Sequence, residues 1–153
     1  MALEFNSIGI KLKYAVAASS ANTRPTSGYT EIPDIKEIPE IAMQPSTIDV
    51  TNLQDTKKRY VPGVLDAGDD YGFTANLTAN LKSVWASAVA AANSAWASGK
   101  STFWEIAIPN FDSFYFTGLP SDMGMSSVSV DSVVEAQLHI VPNSIEGWAA
   151  KST

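Results

Sequence analysis

The sequence predicts a single domain that is mainly β, with one helix. Several segments alternate apolar and polar side chains with a period of two, which is typical of half-buried strands. Only one segment repeats its apolar residues at helical spacing. A length of 153 residues fits one domain. A hydrophobic share of 45% can build a core without cross-links, and the absence of cysteine excludes disulfides, thiol catalysis and cysteine-based zinc sites.

The predicted strands differ in length and in the positions that they can occupy in a sheet. In segment 32–39, Pro33 and Pro39 cannot donate to a ladder, so any strand here is restricted to a sheet edge or to a short ladder between the two prolines. Segment 127–141 alternates without a break over more than the usual five or six residues of a strand. Such long two-faced strands suit wide barrels that enclose water. The remaining predicted strands are residues 10–17, 47–53, 71–81, 102–108 and 113–119.

The one predicted helix covers residues 81–98. Asn80 is the expected N-cap, and Gly99 is the expected residue just beyond the C-cap. Four apolar residues fall on one stripe at spacings of four, three and four: Trp85, Val89, Ala92 and Trp96. The helical register favours packing for both tryptophans over a role as sugar-stacking platforms.

Residues 54–70 are predicted to form a long protruding loop of this single domain, 1–153. The segment has no consistent periodicity, begins with Lys57, Lys58 and Arg59, and ends with acidic residues. Loops of this length are uncommon in compact domains unless they have a function. The apolar residues within it indicate that something packs against the loop.

The charge of the chain argues against several functions. A net charge of −6 does not favour binding to phosphate backbones, although it suits a surface past which DNA slides without adhering. The N-terminus lacks a basic stretch followed by an apolar run, so no signal peptide is expected. The alanine-rich segment 84–97 is too short and too polar to span a bilayer. We therefore expect a soluble protein with no membrane partner, made in a cytoplasm.

No combination of residues predicts catalysis, a cofactor or a metal site. His139 is the only histidine, and it has no evident partners for a zinc site or a catalytic triad. Residues 98–101 end like a phosphate-binding loop, but Ser94 stands where the first glycine belongs, and the segment follows a helix. Residues 66–70 lack the spacing of a calcium loop and indicate a solvated acidic turn.

Residues 32–81 resemble the lambda-like siphophage major tail tube protein family. The matching pieces, in order, are Ile38-Pro39, residues 45–56 as P-x-T-I-x-V-T-x-L-x-D-T with Ser46 and Thr47, residues 60–68 as Y-V-P-G-L-x-D-x-G, and Tyr71-Gly72-Phe73. Within the third piece, Val64 stands before Leu65 and departs from the family pattern. The order and spacing of the pieces together are more specific than any piece alone.

The resemblance implies a β-sandwich or barrel-like tail tube fold with a flanking helix. It further implies hexameric rings that share a continuous inner β-barrel and stack into a hollow tube for DNA ejection. The implied partners are other copies of the chain, the tape-measure protein and tail-tip or terminator proteins. DNA would pass without specific binding, in a virion tail assembled in the host bacterial cytoplasm.

Two sets of residues become candidate sites in such a tube. Asp131 and Glu135, on the polar face of the strand predicted at 127–141, are candidates for the lumen. The segment at 54–70 provides the candidates for contact between rings: Lys57, Lys58, Arg59, Tyr60, Val64, Leu65, Asp66, Asp69 and Asp70.

Three alternatives stay open at this point. The chain could be a type VI secretion-like tube protein or another tail protein such as a terminator. A carbohydrate-binding β-sandwich is a less favoured alternative, because both tryptophans of the helix have a packing explanation. An enzyme is disfavoured by the lack of an acid–base pair.

Overall fold

The computed structural model describes residue 4 and residues 6–153. The description contains ten strands and one α-helix. In chain order these are β1 (Lys11–Val16), β2 (Thr30–Ile32), β3 (Ile35–Glu37), β4 (Gln44–Asp49), β5 (Tyr60–Asp66), β6 (Tyr71–Asn76), α1 (Ala79–Ala97), β7 (Thr102–Ala107), β8 (Ser113–Pro120), β9 (Gly124–Met125) and β10 (Glu135–Ala149). The prediction of a mainly β fold with one helix is confirmed.

The main sheet is nearly closed into a barrel. Its strand order is β2-β1-β7-β8-β10-β6-β3, with β9 paired to β10, and every pairing is antiparallel. The two end strands, β2 and β3, are separated in sequence only by Pro33 and Asp34. The short turn therefore brings the two edges of the sheet together. The proline-limited segment 32–39 lies at the sheet edges, as its sequence predicts.

The core fills the inside of this sheet, and α1 packs against it. Trp104 of β7 lies 5.7 Å from Trp85 of α1 and 6.5 Å from Phe116 of β8, between ring centroids. Both indole N–H groups are satisfied: Trp85 donates to the Ser121 carbonyl at 2.9 Å, and Trp104 donates to the Gly118 carbonyl at 3.0 Å. These large buried aromatic side chains account for much of the core's apolar area.

The helix begins two residues earlier than predicted, and a different residue of its last turn is buried. Thr78, not Asn80, is the N-cap, because its hydroxyl accepts from the Leu81 N–H at 3.1 Å while its backbone is extended. Gly99 has a φ of 76° just beyond the helix, as predicted. Trp96 is 54% exposed, since Ala95 takes the buried position in the last turn. Of the two tryptophans predicted to be core or packing residues, Trp85 therefore lies in the core and Trp96 does not.

The strand predicted at 127–141 is shifted toward the C-terminus. Asp131 lies in a turn with a φ of 62°, and residues 127–134 form no strand. The strand β10 instead runs through Pro142, where a bulge interrupts its register with β8. Gly118 makes this possible, because a Cβ at that position would lie 2.6 Å from the Ile140 Cγ2 atom and 2.8 Å from the Val141 carbonyl.

The sequence predicts a loop over all of residues 54–70, and this prediction is wrong for part of the segment. They include β5, which pairs with β4, and β4 begins three residues before the predicted strand at 47–53. Within the described chain, these two strands form a separate two-stranded sheet. We call residues 44–66 the arm and residues 50–59, which connect its strands, the tip.

Candidate assembly surfaces

The arm exposes nearly all of its side chains. Every residue of β4 is exposed, and Gly63 is the only residue of β5 that is partly covered. Its large apolar residues face solvent on both strands: Ile48 is 52% exposed, Val64 83% and Leu65 58%. A two-stranded hairpin without a packed face is marginally stable in water. The arm therefore has the character of a surface that another molecule covers.

The tip is ordered by a network of short-range hydrogen bonds. The Asp49 carboxylate accepts from the Thr51 N–H, and the Asp55 carboxylate accepts from the Asn52 N–H, each at 2.9 Å. The Thr51 hydroxyl accepts from the Arg59 N–H at 2.8 Å. The hydrogen bond to Thr51 lowers the pKa of the Asp49 carboxyl. These contacts fix the shape of the tip before any partner arrives.

The tip carries an excess of positive charge. Arg59 contacts Asp55 at 3.5 Å, with the arginine mostly exposed. Lys57 and Lys58 form no ion pair with any residue that the structure describes. Both ammonium groups are therefore available to a partner.

The acidic candidates lie at the opposite end of the arm, which we call the base. Asp66 ends β5, and Asp69 and Asp70 follow in the connection to β6. Asp66 and Asp70, together with Glu40, line a cavity of about 290 Å³. Tyr71 donates to the Ala67 carbonyl at the cavity wall, and its pKa is raised by burial and by the nearby Asp66.

The basic candidates of the segment are not neutralised by its acidic candidates Asp66, Asp69 and Asp70. The seven-residue strand β5 spans roughly 23 Å at about 3.3 Å per residue. The Debye length at physiological ionic strength is only about 8 Å. The sequence places both charge types in one segment, but the structure separates them into a basic tip and an acidic base.

The two lumen candidates lie in different environments. Glu135 begins β10 and pairs with Lys36 at 3.1 Å on a half-covered polar face of the barrel. On the same face, Gln137 and His139 lie opposite Thr74 and Gly72 of β6, and the His139 Nδ1 atom lies 2.7 Å from Asp70. We call Thr74, Glu135, Gln137 and His139 the open face. Asp131 lies outside it, so the placement of both acids on one strand face is wrong.

The other half of the barrel's outer surface is covered, and sequence analysis missed its central residue. Glu105 of β7 is fully buried and accepts from the Tyr115 hydroxyl at 2.8 Å, the Ser152 N–H at 3.0 Å and the Ser152 hydroxyl at 2.7 Å. Arg24 lies 4.3 Å from the centroid of the Tyr115 ring. The C-terminal residues therefore form a strap over this half of the sheet.

Contacts beneath the strap shift the pKa values of Glu105 and Tyr115. Burial alone raises the pKa of the Glu105 carboxyl, but hydrogen bonds from Ser152 and Tyr115 outweigh it and hold the pKa below the ordinary 4.5. Burial, with the Glu105 hydrogen bond, raises the pKa of Tyr115 to about 12. Within the chain, a strap built around a satisfied buried carboxylate explains these shifts without a catalytic role.

No group of three or more His, Asp or Glu side chains among the described residues could hold a metal ion. No helix in the part of the chain that the structure covers is long and apolar enough to cross a membrane.

Comparison with known proteins identifies a family. A sequence model described as "Phage tail tube protein, TTP" matches residues 9–145, which is most of the chain. Compared with curated protein sequences, the chain has no significant match.

Solved structures share the fold at low sequence identity. A chain of the six-fold symmetrised baseplate of the anti-feeding prophage matches with a TM-score of 0.64, 10% identity and 98% coverage of both chains. A chain of the native gene transfer agent virion matches with a TM-score of 0.57 and 13% identity, over 96% of this chain and all of that one. A chain of the empty gene transfer agent tail, refined with C6 symmetry, has a TM-score of 0.58 and 13% identity, covering 95% of this chain and all of that one.

Proposed function

Since the chain belongs to the phage tail tube protein family, we propose that it is the major tube subunit of a non-contractile tail. In this proposal, hexameric rings stack into a hollow tube through which DNA leaves the particle. The subunit acts by assembly rather than catalysis. It is located in the virion tail after assembly in the host cytoplasm, where the tape-measure, tail-tip and terminator proteins are its further partners.

The observation that carries the proposal is the exposed arm beside a barrel with its own buried core. The barrel buries its large aromatic residues within one chain, whereas the arm leaves Val64 and Leu65 exposed. A contact between two different surfaces of identical subunits generates open assemblies when the rotation does not close. An arm that reaches from one ring to the next is such a contact, and the six-fold symmetry of the similar structures supports the hexameric ring.

We also propose that the open face lines the lumen. Its side chains are polar, and the ion pairs that the structure describes there are Glu135 with Lys36 and His139 with Asp70, so Lys36 is the one lysine or arginine among these groups. A surface with few cations does not bind passing phosphates. The proposal retains Glu135 as a lumen residue and omits Asp131, because Asp131 does not share this face.

A second candidate is a tube protein of a contractile or secretion-like particle. The match to the anti-feeding prophage baseplate and another to an extracellular contractile injection system favour it. Both candidates require the same stacked rings, so they differ in what surrounds the tube rather than in how the subunit assembles.

Negative-stain electron microscopy of the concentrated protein tests the assembly. We expect hollow tubes of constant width, with six-fold symmetry in end-on views. A strict monomer by light scattering at every concentration, including with the tail-tip complex added as initiator, would contradict the proposal.

Replacing Glu135 with Lys in intact virions tests the lumen assignment. Glu31→Lys is a matched control, because Glu31 also contacts a lysine, Lys11 at 4.0 Å, but belongs to an edge strand near the covered half. We expect both variants to assemble and only Glu135→Lys to slow DNA ejection, through new phosphate contacts. Equal ejection rates in the two variants would remove Glu135 from the lumen.

A further inference from the structure

A second exposed apolar surface lies between β9 and β10. Residues 125–134, which we call the apolar segment, are tied to the barrel at both ends. Met125 pairs with Ala136 of β10, and the Val134 carbonyl accepts from the Leu77 N–H at 3.1 Å. In between, the Ser132 hydroxyl donates to the Ser129 carbonyl at 2.7 Å and closes a turn. The segment is therefore held in one shape.

This segment presents apolar side chains to solvent. Val130 is 90% exposed, Met125 68%, Val133 63% and Val128 55%. Scattered exposed apolar residues are common, but a group held in a fixed turn marks a contact surface. The proposed lumen face does not use this surface.

Charge indicates which part of a second copy covers it. Residues 101–150 contain no lysine or arginine, and two acids outside the open face lie beside or within the apolar segment: Asp122 and Asp131. Asp122 and Asp131 are exposed, and neither forms an ion pair within the described residues. The tip has the complementary character, because Lys57 and Lys58 form no ion pair with the residues that the structure describes and Leu53 is fully exposed.

We propose that the apolar segment of one copy receives the tip of the arm from the next copy. Leu53 of the tip packs against the exposed valines, and Lys57 and Lys58 pair with Asp131 and Asp122. The proposal rests on the proposed function, because it assumes that copies of the chain stack. It adds the receiving surface, and it assigns Asp131 to that surface.

Complementary charges at the rim of such a contact select the partner surface and its orientation. The base of the arm is the competing acidic surface. Its cavity is lined by Asp66 and Asp70, and none of the lining residues is a large exposed apolar side chain that could cover Leu53. The apolar segment offers the tip both acidic groups and exposed apolar side chains.

Disulfide trapping tests the contact directly, since the chain contains no cysteine. Lys58→Cys protein is mixed with Val130→Cys protein, assembled and oxidised. We expect a covalent dimer of the two variants, because a disulfide requires Cα atoms within about 7 Å. Asp69→Cys in place of Val130→Cys is the matched control at the base of the arm.

The outcomes separate the two levels of the proposal. Tubes of wild-type protein without a Lys58→Cys/Val130→Cys dimer overturn this inference and leave the proposed function standing. A dimer formed with Asp69→Cys instead assigns the tip to the base and also overturns it. If the wild type forms no tubes, the proposed function fails, and the inference fails with it.

A charge-swap experiment gives an independent measurement. Lys57→Glu with Lys58→Glu is expected to raise the concentration required for assembly about tenfold, the effect of losing two exposed pairs. Adding Asp122→Lys and Asp131→Lys to the same chain should restore the wild-type value. Adding Asp112→Lys and Glu146→Lys, which lie in the same acidic half of the chain, should not. Equal rescue by both pairs would contradict a specific contact.

Discussion

The barrel and the arm contain similar residues, yet they differ in what covers them. Leu138 of β10 is fully buried among the core side chains, whereas Leu65 of β5 is 58% exposed. Both are leucines on antiparallel strands. The difference indicates that the buried core of the barrel stabilises the fold, whereas the apolar residues of the arm are left uncovered within the chain, as the proposed contact between copies requires.

The same substitution in the two regions gives the largest expected contrast. Leu138→Ala removes a fully buried side chain and leaves a cavity, so the free energy of unfolding should fall by about 3 kcal/mol. Leu65→Ala should change it by less than about 0.5 kcal/mol, as is usual for exposed positions. Denaturant unfolding measures both values. Similar losses at the two positions would show that the arm belongs to the folding core.

Gly118→Ala should destabilise the barrel somewhat less. A Cβ at this position would meet the Ile140 side chain and the Val141 carbonyl at less than 3 Å, and backbone cannot move aside easily. Overpacking of this kind costs about 1–3 kcal/mol. Gly124→Ala is the matched control in the same sheet, because its nearest neighbours lie at 3.7 and 3.8 Å. A neutral Gly118→Ala would contradict the tight bulge between β8 and β10.

Glu105 should make the stability of the barrel depend on pH. Its folded-state pKa lies below the ordinary 4.5, so the ionised carboxylate stabilises the folded state above that pH. This contribution is lost as the pH falls from about 4.5 through the folded-state pKa. Glu105→Gln should lower the free energy of unfolding by about 2 kcal/mol at neutral pH, because a neutral amide accepts weaker hydrogen bonds than the carboxylate it replaces.

Thermal unfolding between pH 7 and pH 3 measures the effect. The wild type should lose stability on acidification more steeply than Glu105→Gln, and the two curves should converge at low pH. Parallel curves over the whole range would show that the carboxylate does not hold the C-terminal strap in place.

The sequence predicts the barrel better than the arm, for a physical reason. Alternation arises when one face of a strand is buried, so β6 is predictable from its pattern, whereas β7 and β8 are buried on both faces and stand out as short, largely apolar runs. The strand β5 buries neither face within the chain, and a bulge at Gly63 interrupts its register. Its pattern therefore carries no period, and the segment was predicted as a loop.

Long-range contacts set the other limits. Segment 127–134 alternates in sequence, but a turn at Asp131 replaces the strand. The predicted strand ends at residue 141, whereas β10 continues through Pro142. The close approach of β8 at Gly118, which is far away in sequence, makes this continuation possible. The Glu105 carboxylate similarly depends on Ser152. The charged residues of the arm were predicted as candidates, but their separation into tip and base required the structure.

We propose that the arm serves assembly and not the fold. Changing Lys57, Lys58 and Arg59 together to Glu tests it most directly, because all three lie in the exposed tip. Circular dichroism and thermal unfolding should match the wild type, while electron microscopy of the concentrated protein should show no tubes. A triple variant that forms tubes like the wild type would contradict the claim and place the contact between rings elsewhere.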